Sequence, residues 1–157
     1  MAKKNISINY QELEDASQLD HSIRELIDET KQFVDHAYAP YSNFRVSACL
    51  LLESGKIIKG ANVENASYPI STCAERVLLS HTISNYPHTQ IRCIAIYVDK
   101  ELRDPVPPCG MCRQSLFEAE QNQKSDIRLY LVAKSGKIIV INRCADLLPL
   151  SFKPDML

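Results

Sequence analysis

Three short segments of this sequence contain residue types that can bind a metal ion or move a proton. They are the triplet Cys73–Glu75, the segment Pro108–Cys112 and the loop Asn62–Asn65. Zinc prefers thiolate and imidazole ligands in a tetrahedron, and a catalytic zinc site keeps its fourth position open for water. The sequence provides three candidate thiolate ligands and no convincing fourth ligand beside them: Cys73, Cys109 and Cys112. This pattern predicts an open, catalytic zinc site.

Glu75 lies two residues after the first of these cysteines and is the natural proton carrier of such a site. Its carboxylate can take a proton from a zinc-bound water and return protons to the substrate if it lies within hydrogen-bond reach of both. Three thiolates weaken zinc as a Lewis acid, but Cys73 and Cys109 each stand at the predicted start of a helix, where the positive end of the helix dipole favours ionised sulfur. Arg76 is a second source of positive charge. Zinc held in this way can lower the pKa of its water towards neutrality.

Two other interpretations of the cysteines are open at this point. A purely structural zinc site needs a fourth protein ligand, and the nearest candidate, His81, lies about two helical turns after Cys73. A redox role for Cys109 and Cys112 calls for the context of a thioredoxin-like motif, which the surrounding sequence lacks. The catalytic interpretation is favoured over both. The remaining cysteines are interpreted as small apolar core residues: Cys49, Cys93 and Cys144.

Composition favours a small-molecule partner. The chain has 157 residues, of which 45% are apolar and 24% charged, as expected for one globular domain with its own core. Its formal net charge is −1 and no run of basic residues is longer than Lys3-Lys4, which is atypical of proteins that bind nucleic acid or membrane surfaces. No apolar segment has membrane-spanning length, and the first residues lack the apolar core of a signal peptide. We therefore expect a cytoplasmic protein whose reduced thiols serve a metal rather than disulfides.

The periodicity of apolar residues predicts the elements that must position these groups. The predicted order is α-β-β-α-β-α-β-β, with helices at about 22–37, 73–81 and 110–121 and strands at 44–52, 57–63, 91–98, 127–132 and 137–141. The loop 62–72 has no periodicity, and a loop of that length inside a domain is usually functional. This order predicts a single α/β domain, in which a mixed sheet of about five strands carries helices on its faces. We interpret residues 1–20 as a flexible N-terminal arm and residues 21–157 as the catalytic domain.

Several blocks of the sequence are specific in combination and in order. They are Pro40–Val46, Asn62–Pro69, Cys73–Arg76, Pro108–Gln114, and Leu147–Pro149 with Phe152 behind it. On these blocks the chain resembles the small homotetrameric zinc-dependent cytidine deaminase family, from roughly Ile23 to Phe152. The resemblance implies a cytidine deaminase-like fold, one zinc ion per chain and a homotetramer with sites shared between subunits. It also implies a reaction of pyrimidine salvage, the hydrolytic deamination of cytidine and deoxycytidine to uridine and deoxyuridine with release of ammonia.

The resemblance further implies roles for individual residues. Cys73, Cys109 and Cys112 would bind zinc. Glu75 would carry protons, and Arg76 would hydrogen-bond the zinc thiolates. The substrate would be contacted by Phe44 against the pyrimidine, Asn62 and Glu64 on the ribose hydroxyls, Ala74, and Phe152 in the site of a neighbouring subunit.

Two related enzyme classes stand as alternatives. A deaminase of cytosine-bearing antibiotic nucleosides would share the zinc site, but the implied ribose contacts of Asn62 and Glu64 favour the ordinary nucleoside. An editor of polynucleotides is disfavoured by the near-neutral charge and the lack of an aromatic and basic strip. The sequence departs from the family pattern at Ser47, where glycine is common, at Cys49, where a small residue such as alanine is usual, and in the segment 142–146. These departures concern packing and assembly more than the site.

Overall fold

The computed structural model describes residues 1–153, and the last four residues of the predicted catalytic domain, 154–157, lie outside this range. The helices are α1 (His21–Phe33), α2 (Ala74–Asn85) and α3 (Gly110–Gln123). The strands are β1 (Tyr10–Leu13), β2 (Val46–Leu52), β3 (Ile57–Ala61), β4 (Ile91–Val98), β5 (Arg128–Val132) and β6 (Ile138–Ile141). Short 3-10 turns cover Val34–His36, Tyr68–Ile70 and Cys144–Leu147. Each helix and strand that the periodicity predicts is present: β4 has the predicted bounds, and the others differ from the prediction at one or both ends.

The strands form one mixed sheet in the order β1-β6-β5-β4-β2-β3. In this sheet β4 and β5 are parallel, and all the other neighbours are antiparallel. Parallel neighbours need a crossover connection, and α3 lies in the connection between these two strands. The architecture is the single α/β domain that the sequence predicts. Within residues 1–153, no helix has both the length and the apolar character needed to cross a bilayer.

The sheet has one strand more than the five expected. The additional strand, β1, lies within the segment interpreted as a flexible arm and pairs antiparallel with β6, with Tyr10 opposite Ile141. Three of its four side chains are exposed, so the sequence YQEL lacks the apolar alternation that indicates a half-buried strand. An ion pair of 3.0 Å between Lys137 and Glu12 also holds β1 at the edge of the sheet. The boundary at residue 20 stays an interpretation.

Both faces of the sheet are covered, which explains the nearly continuous apolar run of β2. Leu50 and Leu52 belong to the core cluster that contains residues of α2 and α3, whereas Leu51 belongs to the cluster that contains residues of α1. Successive side chains of a strand point to opposite faces, so a strand between two helical layers must be apolar throughout. The sheet is therefore the rigid middle layer against which α2 and α3, the helices of the predicted zinc site, are packed.

The two departures from the family pattern in β2 are accommodated in the core. Ser47 is buried, and its hydroxyl donates a hydrogen bond of 2.6 Å to the carbonyl oxygen of Thr30 in α1. Cys49 is buried too, and burial raises the pKa of its thiol to about 11, so the thiol stays protonated at neutral pH. Cys93 and Cys144 are likewise buried. The three cysteines outside the predicted zinc site are core residues, as the sequence indicates.

Gly60 allows α2 to lie directly against β3. A Cβ atom at this position would lie 2.9 Å from both the Cβ and the main-chain nitrogen of Leu78, and 3.0 Å from the carbonyl oxygen of Ala74. Since two of these atoms belong to the backbone of α2, they cannot move aside unless the helix moves. Gly60→Ala is therefore expected to lower the free energy of unfolding by about 1–3 kcal/mol, the usual cost of overpacking. Urea denaturation followed by circular dichroism measures this change.

Gly110→Ala is the control for this substitution, because a Cβ atom at Gly110 would meet nothing within 4 Å. Its unfolding midpoint should stay close to that of the wild type. Equal midpoints for Gly60→Ala and Gly110→Ala would contradict the expectation, since they would mean that α2 can shift without loss of stability.

Candidate active site

The three cysteines of the predicted zinc site lie together at the N-terminal ends of two helices. Cys73 is the residue before α2, Cys109 is the residue before α3, and Cys112 lies in the first turn of α3. Their Sγ atoms all lie within 4.8 Å of one another, with 3.9 Å between Cys73 and Cys109 and 3.5 Å between Cys109 and Cys112. Tetrahedral zinc–sulfur bonds of about 2.3 Å would separate the sulfurs by about 3.8 Å. The cluster therefore fits a zinc ion with small adjustments.

The surroundings of the cluster favour an ionised sulfur. In the metal-free protein, a hydrogen bond with the Cys112 thiol is the largest of the effects that lower the pKa of Cys73 to about 6, and the Cys109 thiol and the positive charge of Arg76 act in the same direction. The interaction with Cys73, followed by burial, raises the pKa of Cys112. One sulfur of the cluster is thus anionic near neutral pH and attracts a cation. Zinc binding would then displace the remaining thiol protons.

Glu75 adjoins this cluster in the first turn of α2. The residue is only 5% exposed, and burial raises the pKa of its carboxyl group, while a hydrogen bond with Cys112 opposes the rise. A buried carboxyl group with a raised pKa can hold a proton closer to neutral pH and exchange it with a neighbour. The structure therefore gives Glu75 the environment that a proton carrier needs.

Arg76 is half-buried in the first turn of α2. Its positive charge lowers the pKa of Cys73, which agrees with the charge compensation expected of it. It also lines a groove between α2 and α3 together with Ser115 and Glu118. Hydrogen bonds from its guanidinium group to zinc-bound thiolates stay a prediction.

Glu64 is held in the loop that follows β3. One of its carboxylate oxygens accepts hydrogen bonds from the main-chain N–H groups of Tyr41 and Ser42, at 2.9 and 3.2 Å, and the other accepts one from the Ser42 hydroxyl. These hydrogen bonds lower the pKa of Glu64, and the bond from the Ser42 hydroxyl has the largest effect. The side chain is therefore an anion held in a fixed position. These residues, with Tyr68 and Ser71, line a cavity of about 360 Å³. Two other cavities, of about 470 and 560 Å³, are larger but contain none of the predicted site residues.

Asn62 holds the main chain on both sides of Arg45, the residue before β2. Its Oδ1 atom accepts a hydrogen bond of 2.8 Å from the main-chain N–H of Val46, and its Nδ2 atom donates one of 2.9 Å to the carbonyl oxygen of Phe44. An amide group has two N–H bonds, so one of them is left for a ligand. The ring of Phe44 is half-buried, and the ammonium group of Lys100 lies 5.5 Å from its centre. Asn62 therefore positions Phe44, a role that its place in the sequence does not indicate.

The other two residues expected to contact substrate differ in their surroundings. Ala74 is fully buried at the start of α2. Phe152 is 57% exposed, in the segment that follows the last 3-10 turn. The main-chain oxygen of Phe152 accepts a hydrogen bond of 3.3 Å from Nε2 of Gln114 in α3. This exposed position is compatible with a contact to another subunit.

Two side chains of α3, for which the sequence predicts no role, hold the main chain that precedes and follows this helix. Arg113 donates hydrogen bonds to the carbonyl oxygens of Pro108, at 2.8 Å, and Leu147, at 3.3 Å. Glu120 is buried, and its carboxylate accepts hydrogen bonds from three main-chain N–H groups, those of Ile127, Cys144 and Ala145. The sequence does contain one indication that Glu120 is buried: it follows Leu116 by four residues and so lies on the apolar face of the helix.

Comparisons with known proteins agree with this geometry. Residues 20–125 match the family model described as the cytidine and deoxycytidylate deaminase zinc-binding region. A cytidine deaminase of Halalkalibacterium halodurans is 42% identical over 127 residues, which cover 81% of this chain and 91% of the relative. A cytidine deaminase of Sporosarcina psychrophila is 38% identical over 120 residues, which cover 71% of this chain and 86% of the relative.

Solved structures lead to the same result. The crystal structure of cytidine deaminase from Burkholderia pseudomallei aligns with a TM-score of 0.74 at 38% identity, over 85% of this chain and 100% of that one. The crystal structure of cytidine deaminase from Mycobacterium tuberculosis aligns with a TM-score of 0.67 at 29% identity, over 85% of this chain and 99% of that one. The zinc-ligand cluster, the fold and the sequence relationship agree, and the chain belongs to the zinc-binding cytidine and deoxycytidylate deaminase family.

Proposed function

We propose that this protein catalyses the hydrolytic deamination of cytidine and deoxycytidine, which yields uridine or deoxyuridine and ammonia. The observation that carries the proposal is the buried carboxyl group of Glu75 beside the three-cysteine cluster. When held by these sulfurs, zinc supplies Lewis-acid activation of a water molecule. The relatives named cytidine deaminase support the choice of substrate.

Each of the predicted site residues has a place in this reaction. Glu75 takes one proton from the attacking water and passes it to the ring nitrogen, then takes the second proton from the same oxygen and passes it to the departing amine, which leaves as ammonia. Phe44 packs against the pyrimidine, and Ala74 contacts the substrate from the start of α2. Glu64 accepts a hydrogen bond from a ribose hydroxyl, while Asn62 donates one with its remaining N–H bond.

A structural zinc site is the main competing interpretation. Such a site needs four protein ligands, and within residues 1–153 the cluster contains three. His81 is the fourth candidate by sequence, but its ring lies near the other end of α2, with Nδ1 3.3 Å from Nδ2 of Asn85 and its centre 6.1 Å from that of Tyr86. This arrangement favours an open coordination position.

Ammonia release from the purified, zinc-loaded protein tests the proposal, with cytidine and deoxycytidine as substrates. Sustained turnover of both supports it. If the protein released ammonia only from cytosine-bearing antibiotic nucleosides, this result would contradict the proposed substrates and identify it as a deaminase of those nucleosides. A protein that holds one zinc ion per chain and releases no ammonia from any of them would contradict the proposal and favour the structural site.

We further propose a homotetramer in which Phe152 of one subunit reaches the active site of another. Apolar side chains near the site and in the C-terminal segment are more than half exposed: Tyr68, Ile70, Met111, Leu150 and Phe152. Patches of exposed apolar residues commonly mark a protein–protein interface, and we propose that these side chains face neighbouring subunits. Analytical ultracentrifugation is expected to give a particle of four times the 17.8 kDa mass of the chain. A fully active, stable monomer at micromolar concentration would contradict this assembly.

We also infer a cytoplasmic location and no binding of nucleic acid or of membrane surfaces. All six cysteines are free thiols, which a reducing compartment maintains. The net charge of −1 provides no general attraction to a polyanion. Cell fractionation tests the location. Retardation of single-stranded DNA by the protein in a gel at physiological salt would contradict the second inference.

A further inference from the structure

The Ser42 hydroxyl connects the two parts of the proposed nucleoside site. Its Oγ atom donates a hydrogen bond to Oε1 of Glu64 and accepts one of 3.0 Å from the main-chain N–H of Phe44. The side chain of Ser42 thus contacts both the carboxylate of Glu64, which is expected to bind the ribose, and the main chain of Phe44, whose ring is expected to pack against the base. The bond to Glu64 joins positions that are 22 residues apart in the sequence.

The main chain around Phe44 depends on such side-chain contacts. Residues 41–45 lie outside the helices and strands, and main-chain hydrogen bonds join Asn43 to Ala39 and Arg45 to Asp99 on either side of Phe44. Asn43 has a φ of 54°, in the left-handed region that asparagine adopts more readily than most residues. In this segment the N–H of Phe44 is held by the Ser42 hydroxyl, and its carbonyl oxygen is held by Nδ2 of Asn62 at 2.9 Å. The main chain of Phe44 itself is thus held by these two side chains.

The hydrogen bond from Ser42 to the Glu64 carboxylate is not part of a local turn. A serine that only stabilises a turn accepts a hydrogen bond from the N–H two residues later, as Ser42 does from Phe44. A hydroxyl group has one proton to donate, and Ser42 directs it to Glu64. Together with the main-chain N–H groups of Tyr41 and Ser42, which bond Oε2, this bond to Oε1 fixes the side chain of Glu64 in one orientation and leaves an acceptor position on Oε1 for a sugar hydroxyl.

We propose that Ser42 is a positioning residue for substrate specificity, which holds the Glu64 carboxylate and the ring of Phe44 in a fixed relation so that sugar hydroxyls and base are recognised together. The inference rests on the proposed function, because it concerns the same nucleoside site. Without the hydroxyl, Glu64 can turn away from the sugar. Preference for nucleosides with sugar hydroxyls is then lost, while proton transfer by Glu75 is retained.

The test compares Ser42→Ala with the wild type on cytidine and on 2′,3′-dideoxycytidine, which lacks the sugar hydroxyls. The ratio of kcat/KM for the two nucleosides is expected to fall about tenfold, as for loss of a hydrogen bond to a charged group, with most of the change in the KM for cytidine. Binding of uridine and 2′,3′-dideoxyuridine, measured by calorimetry, should show the same fall without any reaction. Ser42→Thr keeps the hydroxyl and should restore the ratio.

Ser135→Ala is the matched control. The hydroxyl of Ser135 makes the same local contact as that of Ser42, since it accepts a hydrogen bond of 3.5 Å from the main-chain N–H two residues later, but Ser135 lies in the turn between β5 and β6, outside the cavity that Glu64 lines. The ratio of kcat/KM for the two nucleosides in Ser135→Ala should match that of the wild type. A Ser42→Ala protein that loses equal activity on both nucleosides, or a Ser135→Ala protein with the same change of ratio, overturns the proposed role of Ser42. A wild type that deaminates no nucleoside overturns the proposed function, and this inference with it.

Discussion

Glu75→Gln is expected to lower kcat for cytidine between about 10²-fold and about 10⁴-fold, the range that general acid–base catalysis contributes, with the zinc content unchanged. A glutamine amide cannot take up and release the protons that the reaction requires. Glutamine also has the size of glutamate, so the buried position at the start of α2 stays filled. Steady-state kinetics with cytidine and zinc analysis of the same sample measure the two quantities.

Glu120→Gln is the matched control, since Glu75 and Glu120 are the two buried glutamates within residues 1–153. The Glu120 carboxylate binds main-chain N–H groups, including that of Cys144 at 2.7 Å, rather than the zinc cluster. Its replacement should lower the free energy of unfolding by about 1–3 kcal/mol and leave kcat close to the wild-type value, because Arg113 and Gln114 still hold the segment that contains Phe152. A Glu75→Gln protein that keeps kcat within about threefold would exclude Glu75 as the proton carrier. Loss of zinc and fold together would give Glu75 a structural role.

The cluster of Cys73, Cys109 and Cys112 could be predicted from the sequence because the surroundings of each cysteine are local. Apolar periodicity marks where α2 and α3 begin, and the structure places Cys73 and Cys109 immediately before these helices. A spacing of three residues then brings Cys112 into the same helical turn as Cys109, and the two sulfurs lie 3.5 Å apart. Periodicity does not predict that α2 and α3 meet at their N-terminal ends. Only the family resemblance, through the shared zinc site that it implies, indicates this contact.

The contacts that escape prediction are those between distant polar or small residues. Ser42 and Glu64 are far apart in the sequence, and neither residue type indicates a partner. Gly60 has no pattern that marks it as the place where α2 approaches β3, because close backbone approach depends on how two elements pack. Strand β1 is not marked in the sequence for a related reason, since its pairing with β6 uses main-chain atoms and its side chains are mostly exposed. Long-range hydrogen bonds leave no periodic signal.

Helix α3 links the metal centre to the C-terminal segment. It begins at the zinc cluster, and three of its side chains then hold the main chain at the end of the domain: Arg113, Gln114 and Glu120. Since Phe152 belongs to that segment, the position proposed for it in a neighbouring site depends on the same helix.

Cys109→Ser is expected to remove zinc binding and activity while the metal-free fold stays intact. Cys109 is exposed, and its sulfur lies 3.9 and 3.5 Å from the other two sulfurs of the cluster. A neutral serine hydroxyl is a poor substitute for a soft thiolate ligand, yet serine is favoured at the residue before a helix, so α3 should begin as stably as before. Zinc analysis after dialysis should fall from one ion per chain to almost none, and cytidine turnover should fall with it.

Stability with and without a chelator separates loss of the metal from loss of the fold. A ligand that binds only the folded protein adds about 2.7 kcal/mol to the free energy of unfolding at about 100 times its Kd. The wild type should therefore lose stability when a chelator is added, whereas Cys109→Ser should unfold at the same urea concentration with and without it. Cys49→Ala, in the core cluster that contains residues of α1, should keep both its zinc and the chelator effect. A Cys109→Ser protein that retained zinc and turnover would show that the metal is bound elsewhere.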